Sequence, residues 1–184
     1  MATMFWLKRV MQAMMVLACC AGTAHAIEGK EIDCKSTDMN FEAPGFKVTC
    51  KDYSRASVSV GQSLAGSNSY SLFAVSEADL TFLDAFSDHV LGSVYYSRRS
   101  MEADLEDNYS SKFANWATQD DIGDYEIRNV TATFKSNEPM ECVAFRKLGV
   151  RRYEGVNGLV LGISCSDSGR AKALETVKLF ISQD

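Results

Sequence analysis

Several residue types and motifs that mark common classes of protein are scarce in this sequence. Only two prolines, Pro44 and Pro139, occur among its 184 residues, and both stand where turns are expected. The chain has no proline-rich linker, no internal repeat and no low-complexity run that would divide it. These absences predict a single domain after the N-terminal segment.

Histidine is nearly absent as well. The two histidines are His25 and His89, too few for the multi-histidine sites that hold catalytic zinc. No two cysteines have the Cys-x-x-Cys spacing of a four-thiolate zinc site. Neither a Walker loop nor a dinucleotide-binding glycine motif occurs. The sequence therefore predicts no cofactor and no metal ion.

The glycines do not frame a catalytic serine. In Gly158-Leu159-Val160-Leu161-Gly162 the two glycines have the spacing of a nucleophile elbow, but Val160 stands where the serine belongs. The segment 61–66 places Ser63 between glycines at the wrong spacing. These patterns favour a protein that is not an enzyme. A small hydrolase that uses carboxylates is the less favoured alternative, because no catalytic pair can be chosen among 24 acidic residues.

Basic residues are outnumbered by acidic ones. The chain has 19 lysines and arginines against 24 aspartates and glutamates, a formal net charge of −5. Such a chain lacks the basic face that binds the phosphates of nucleic acids. Anionic membrane surfaces also repel it. We therefore expect neither a nucleic acid nor a membrane surface among its partners.

Residues 1–26 have the three parts of a secretory signal peptide. Lys8 and Arg9 precede an almost wholly apolar run, 10–21, which is shorter than the roughly 20 residues that a membrane-spanning helix needs. Ala24-His25-Ala26 then offers the small-x-small pattern of a cleavage site. The prediction is a mature chain of residues 27–184, without a transmembrane span, that is periplasmic or secreted. Loss of two basic residues changes its net charge from −5 to −7.

An alternative reading of the same segment is a lipid anchor. Leu17-Ala18-Cys19-Cys20 loosely matches a bacterial lipoprotein signal, in which the first mature residue is a lipidated cysteine. Lipidation of Cys19 would tether the domain to a membrane without altering its fold. The protein would then be an envelope-attached structural or accessory lipoprotein. An N-terminal anchor that is never cut is a further alternative.

Four cysteines remain after the signal, namely Cys34, Cys50, Cys142 and Cys165. An even number of cysteines in an exported chain indicates disulfides. Three connectivities are possible. We favour Cys34–Cys50 and Cys142–Cys165, because each pair falls on segments that resemble neighbouring antiparallel strands.

Strand patterns and helical patterns occupy different parts of the mature chain. The predicted strands are 31–36, 46–53, 56–60, 70–75, 125–134, 142–150 and 159–165. The predicted helices are 77–97 and 101–117 in the middle, and 170–181 at the end. This order predicts an α+β domain, mainly an antiparallel sheet with two central helices and a C-terminal helix packed on it. A split fold in which the helical middle forms a lid is the alternative.

One basic cluster stands out from the acidic background as a possible contact surface. Arg146 and Lys147 lie on a predicted strand, and Arg151, Arg152 and Tyr153 follow it. Arginine side chains beside a tyrosine are typical of surfaces that contact an anion or a protein. The alternative is a solvated strand edge that charge protects from pairing.

Other candidate sites have simpler structural explanations. His89 could act as a general base oriented by Asp84 or Asp88, although a solvated helix histidine is the favoured interpretation. Calcium could bind an acidic cluster, whose residues are Glu102, Asp104, Glu106 and Asp107 or else Asp120, Asp121 and Asp124. Both sets are better explained as solvated residues, the first set on a helix and the second in a loop.

An aromatic group in the middle of the chain could line a pocket between the central helices. Its members are Tyr95, Tyr96, Tyr109, Phe113 and Trp116. Core packing explains such residues more often. Taken together, the sequence favours an exported, disulfide-stabilised binding module for an unidentified envelope protein or small ligand. Its oligomeric state is not predicted.

Overall fold

A computed structural model describes residues 29–60, 63–94, 99–134, 138–152 and 155–184. The expected signal peptide, Cys19, Tyr95, Tyr96 and Tyr153 lie outside the described residues. No helix in the described ranges is long and apolar enough to cross a membrane.

Antiparallel strands and two helices make up the described structure, so the predicted α+β class with a mainly antiparallel sheet is confirmed. The strands are β1 (Lys30–Ile32), β2 (Phe46–Asp52), β3 (Arg55–Val60), β4 (Ser63–Ser76), β5 (Thr81–Val94), β6 (Lys112–Thr118), β7 (Tyr125–Thr133), β8 (Pro139–Leu148), β9 (Arg151–Arg152) and β10 (Gly155–Ser166). The helices are α1 (Met101–Asn108) and α2 (Arg170–Ile181). The order across the sheet is β1-β2-β4-β5-β10-β8-β7-β6, with β3 beside β4 and β9 beside β10.

The first predicted central helix, 77–97, is wrong. Residues 77–80 form the turn of a long hairpin, and β5 follows from Thr81 to Val94. Apolar residues of β5 lie on both of its faces: Leu83 and Ala85 are buried on one face, and Phe82 and Phe86 are partly exposed on the other. A strand with apolar residues on both faces lacks the polar–apolar alternation that identifies strands. Its apolar residues then matched a helical spacing by coincidence.

The second predicted central helix is only half as long as expected. Ser100 caps α1 by accepting a hydrogen bond from the backbone N–H of Ala103 at 3.2 Å. The helix ends at Asn108, and strand β6 begins at Lys112. The aromatic spacing of Tyr109, Phe113 and Trp116 belongs to this strand and its approach, not to a helix.

The two helices cover opposite faces of the sheet. On one face α2 buries Val177 and Phe180 against a core that also contains Phe145 from β8. The segment 33–45 between β1 and β2, here called the N-terminal segment, adds Met39 and Phe41 to this core. On the other face α1 buries Met101 and Leu105 against side chains of β7, β8 and β10, which are Val130, Ala132, Cys142, Ala144, Leu159, Leu161, Ile163 and Cys165.

Both expected disulfides are present. Cys142 and Cys165 are directly opposite each other on β8 and β10, with Cα atoms 4.2 Å apart. Cys34 lies in a short 3-10 helix just after β1, and it bridges to Cys50 on β2 over a Cα distance of 5.2 Å. One disulfide therefore joins central strands, and the other holds the N-terminal segment to the sheet.

We expect the replacement of Cys142 and Cys165 together by alanine to lower the free energy of unfolding by about 3 kcal/mol. The bridge closes a loop with a sequence separation of 23 residues, and both cysteines are fully buried. Urea denaturation at pH 7, with the Cys34 and Cys50 double alanine variant as the comparison, measures the loss. A loss below about 1 kcal/mol would contradict this role.

Candidate functional site

Arg146, the first residue of the expected contact surface, points into the protein instead of out to a partner. Only 9% of its side chain is exposed. Its guanidinium lies 2.9 Å from Asp104 Oδ2 and 2.6 Å from Glu126 Oε2. It also donates to the backbone carbonyl of Arg99 at 2.9 Å. Arg146 therefore links α1 and the chain before it to the sheet, which corrects its predicted role.

Lys147 is engaged on the opposite face, because successive residues of a strand point in opposite directions. Its Nζ lies 2.5 Å from Asp184 Oδ2 and 5.1 Å from the centre of the Tyr125 ring. Burial, together with the carboxylates of Asp184 and Asp38, raises the pKa of Tyr125 above its ordinary value. Lys147 is thus part of the contact between the C-terminus and the sheet.

The structure does not bring the five expected contact residues together. Arg146 and Lys147 lie on opposite faces, and Arg151 is exposed beyond the end of β8. Arg152 is described only as a residue of β9, and Tyr153 lies outside the described ranges. A contact surface formed by Arg151, Arg152 and Tyr153 stays a prediction.

His89 has a different partner from the ones expected. It lies on a strand, so Asp84 and Asp88 point to the face opposite its own. Its Nε2 lies 2.7 Å from Asp38 Oδ2, and Ser87 donates to that same oxygen at 2.7 Å. The ring fits there because Gly158 is opposite: a Cβ at residue 158 would lie 2.8 Å from His89 Nδ1.

This cluster contains a serine, a histidine and an aspartate, but not in the order that activates a nucleophile. In a catalytic triad the histidine stands between the serine and the aspartate. Here Asp38 stands between Ser87 and His89, and it accepts both contacts on one oxygen. The arrangement anchors the N-terminal segment, which carries the buried Met39 and Phe41, to β5.

The acidic clusters do not form a metal site. Within the described ranges, no three histidine, cysteine, aspartate or glutamate side chains converge where they could hold a metal ion. Asp104 and Asp107 pair with arginines near α1. Asp121 accepts a hydrogen bond from the backbone N–H of Ile127 at 3.2 Å.

A cleft of about 350 Å³ lies beneath the N-terminal segment. Its walls include Phe41, Phe46 and Val48, with Asn40 and Glu42 at the side. The carboxylate of Asp33 in this cleft already accepts a hydrogen bond from the backbone N–H of Lys35. This carboxylate is therefore engaged within the chain.

A chemically more distinctive arrangement lies on the α1 side of β4 and β5. Phe82, Asp84 and Phe86 alternate along β5 and so share this side, and Phe73 of β4 is directly opposite Asp84. All four residues keep part of their surface open to solvent. We call these four residues, with the neighbouring Tyr109, the Asp84 face.

Aromatic side chains border this carboxyl group on several sides. The Phe73 and Phe82 rings stack with centroids 6.1 Å apart. From the end of α1, the Tyr109 hydroxyl donates to the backbone carbonyl of Asp84 at 3.1 Å. On β10, the residue opposite Asp84 is the buried Ile163. Asp84 is thus an acid in apolar surroundings.

The Asp84 carboxyl group lacks the partners that usually accompany an acid in apolar surroundings. Among the described residues, none donates a hydrogen bond to it or forms an ion pair with it. Burial without compensating charge raises its pKa from 3.8 to about 7. A carboxyl group with this property at an open surface is a candidate functional group.

Asp84 does not form a catalytic carboxylate pair with the nearest acid on its own strand. Asp88 shares its side of β5 but lies four residues away, about 13 Å along a strand. The two acids of glycosidases are about 5 to 9.5 Å apart. Asp88 also accepts a hydrogen bond from Ser69 at 2.6 Å. Asp84 and Asp88 therefore do not have the spacing of a glycosidase pair.

The sequence contains a signal for this site that the helical interpretation concealed. In Phe82-Leu83-Asp84-Ala85-Phe86, aromatic or acidic residues alternate with aliphatic ones. A repeat of two residues is the period of a strand. Comparison of the chain with protein-family models, curated proteins and solved structures finds no significant match. The candidate site therefore depends on its own geometry.

We expect Arg146→Ala to lower the free energy of unfolding by about 3–5 kcal/mol, because it leaves the buried carboxylate of Asp104 without its main partner. Arg151→Ala is the matched control: it removes an exposed arginine and should change stability by less than about 0.5 kcal/mol. Urea unfolding of both variants measures the difference. Equal effects would mean that Arg146 is not part of the internal network.

We expect Asp84→Asn to make the protein more stable at pH 8 and to have little effect at pH 4. The unfolded chain releases the Asp84 proton near pH 3.8 and the folded protein near pH 7. Between these values the unfolded state binds fewer protons, so stability falls as pH rises, by on the order of 1.4 kcal/mol per pKa unit.

Thermal unfolding at pH values from 4 to 8 measures this gain, and Asp120→Asn, at an exposed acid, is the control. Parallel stability curves for the wild-type and Asp84→Asn proteins would show that the pKa of Asp84 is not raised.

Proposed function

We propose that the mature chain is an exported, disulfide-stabilised binding module that holds its partner on the Asp84 face. The observation that carries this proposal is the unpartnered carboxyl group of Asp84, a partly exposed residue among aromatic side chains. An acid in this position costs stability, and residues that cost stability are concentrated at functional sites. A partner that covers the rings and pairs with the carboxyl group would compensate for that cost.

Export is supported by two independent features of the chain. Residues 1–26 have the pattern of a signal peptide. The two disulfides, Cys34–Cys50 and Cys142–Cys165, are typical of proteins that fold in an oxidising compartment such as the bacterial periplasm. We therefore place the partner in the same compartment.

Aromatic surfaces with a central charged group are typical of binding sites. Aromatic residues are enriched where proteins contact each other, and a few of them supply most of the binding energy. Phe73, Phe82 and Phe86 remain partly exposed in the free protein, so a partner can bury them further. The Ser87–Asp38–His89 cluster lies on the opposite face and contributes nothing to this surface.

An envelope-attached lipoprotein is the second candidate, and the sequence around Cys19 is its support. Expression of the full chain in a bacterial host, followed by detergent phase partitioning, tests it. A lipidated protein enters the detergent phase and leaves it on Cys19→Ser. A lipid anchor is compatible with binding on the Asp84 face, so this test addresses only how the module is attached.

We expect the oxidised mature chain, immobilised through its N-terminus, to retain a partner from the envelope extract of its own host. Phe73→Thr should reduce the retained amount at least tenfold, because it removes a partly exposed ring while it keeps a residue suited to a strand. Asp84→Asn should reduce it as well. Mass spectrometry of the retained proteins and small molecules provides the readout.

Two variants serve as matched controls. Asp120→Asn removes an exposed acid away from the Asp84 face and should leave retention unchanged. Arg151→Ala tests the contact surface that the sequence suggested. Retention that survives Phe73→Thr but fails in Arg151→Ala would move the binding surface to the end of β8 and contradict the proposal.

A further inference from the structure

We infer that the partner of the Asp84 face is a polypeptide that places a lysine or arginine side chain over Asp84, between apolar residues. This inference rests on the proposed function and specifies the chemistry of its partner. It follows from the position of one acidic group at the centre of an aromatic surface. It also follows from the absence, among the described residues, of a basic side chain that pairs with this group.

A basic side chain fits both components of this surface. The ammonium or guanidinium group can pair with the carboxylate, and both groups are attracted to the faces of aromatic rings. The methylene stem of the same side chain can cover the rings of Phe73, Phe82 and Phe86. A single lysine or arginine therefore satisfies the acid and buries apolar surface in one step.

Other occupants would leave the acid uncompensated. An apolar partner would bury the Asp84 carboxyl group without a hydrogen bond, which costs free energy. An acidic partner would add repulsion from a chain whose net charge without residues 1–26 is already −7. A second copy docked on itself by a twofold axis would bring two Asp84 faces together, each with the same central acid.

The described part of this chain does not supply the missing cation itself. Lys47 and Lys51 are exposed on β2, two strands away, and neither forms an ion pair with Asp84. Near α1, six charged groups on this side of the sheet contact one another, and they are Arg99, Asp104, Asp107, Glu126, Arg128 and Arg146. Asp88 on β5 accepts from Ser69.

The charge of Asp84 changes within the range of pH in which binding is measured. Because burial raises its pKa to about 7, the carboxyl group is mostly protonated at pH 6 and mostly ionised at pH 8. A basic partner binds the ionised form better. Its affinity should therefore rise from pH 6 to pH 8, and Asp84→Asn should abolish that rise.

A random dodecapeptide library displayed on phage, selected on the immobilised mature chain and counter-selected on Asp84→Asn, tests the inference. We expect the enriched peptides to carry a lysine or arginine flanked by apolar residues. Two of the enriched peptides are then synthesised in two forms each, one with the basic residue and one with norleucine in its place. Trp116 reports binding by fluorescence, because it is the only tryptophan after residue 26 and contacts Phe113 beside Tyr109.

The norleucine peptides should bind the wild-type protein at least tenfold more weakly than the basic ones. Asp84→Asn should weaken the basic peptides by a similar factor, and Asp120→Asn should leave their affinity unchanged. The difference between the basic and norleucine peptides should shrink at pH 6. Together these three results would support a cationic contact with Asp84.

The outcomes separate this inference from the proposed function. Peptides that lose affinity on Phe73→Thr, but carry no basic residue or bind Asp84→Asn equally well, would overturn the cationic partner and leave the binding face intact. Peptides indifferent to both Phe73→Thr and Asp84→Asn would overturn the binding face as well. A dimer in light scattering that Phe73→Thr dissociates would make a second copy the occupant and overturn the inference.

Discussion

A sheet of ten strands has two broad faces to cover, and the described chain has only two helices to cover them. The eight strands that follow one another across the sheet span about 34 Å, at about 4.8 Å between neighbours, whereas a helix is only about 10 Å wide. On one face the N-terminal segment, with Met39 and Phe41, assists α2. On the other, α1 has eight residues and packs on β7, β8 and β10. The Asp84 face on β4 and β5 is what this short helix leaves open.

The position of α1 depends on the internal ion pairs of Arg146. A helix of eight residues is not stable alone in water, so tertiary contacts must hold it. Met101 and Leu105 supply apolar contact, and Arg146 joins Asp104 on the helix to Glu126 on β7. Buried ion pairs add little net stability, but they restrict the orientation of the groups that they join. The basic residue that the sequence suggested as a partner contact therefore helps to define the border of the Asp84 face.

The polar residues on the two sides of β5 differ in whether they have partners within the chain. On the α2 side, Ser87 and His89 share the carboxylate of Asp38. On the α1 side, Asp88 accepts from Ser69, but Asp84 receives nothing from the described residues and its pKa rises to about 7. Asp84 thus differs from these other polar residues of β5, each of which has a partner within the chain. It is consistent with a group whose partner is another molecule.

Local patterns by themselves predicted the antiparallel α+β class and the strands that carry Cys50, Cys142 and Cys165, and they favoured the two disulfides that are present, because cysteine spacing and turn residues act over short distances. Only the tertiary structure decided that β5 is a strand and that Arg146 points inward. Apolar residues on both faces of β5 remove the polar–apolar alternation that identifies a strand, and the partners of Arg146 are at least 20 residues away in sequence. The Asp84 face likewise needs β4, β5 and α1 in their final positions, since none of these segments brings its aromatic residues to the acid alone.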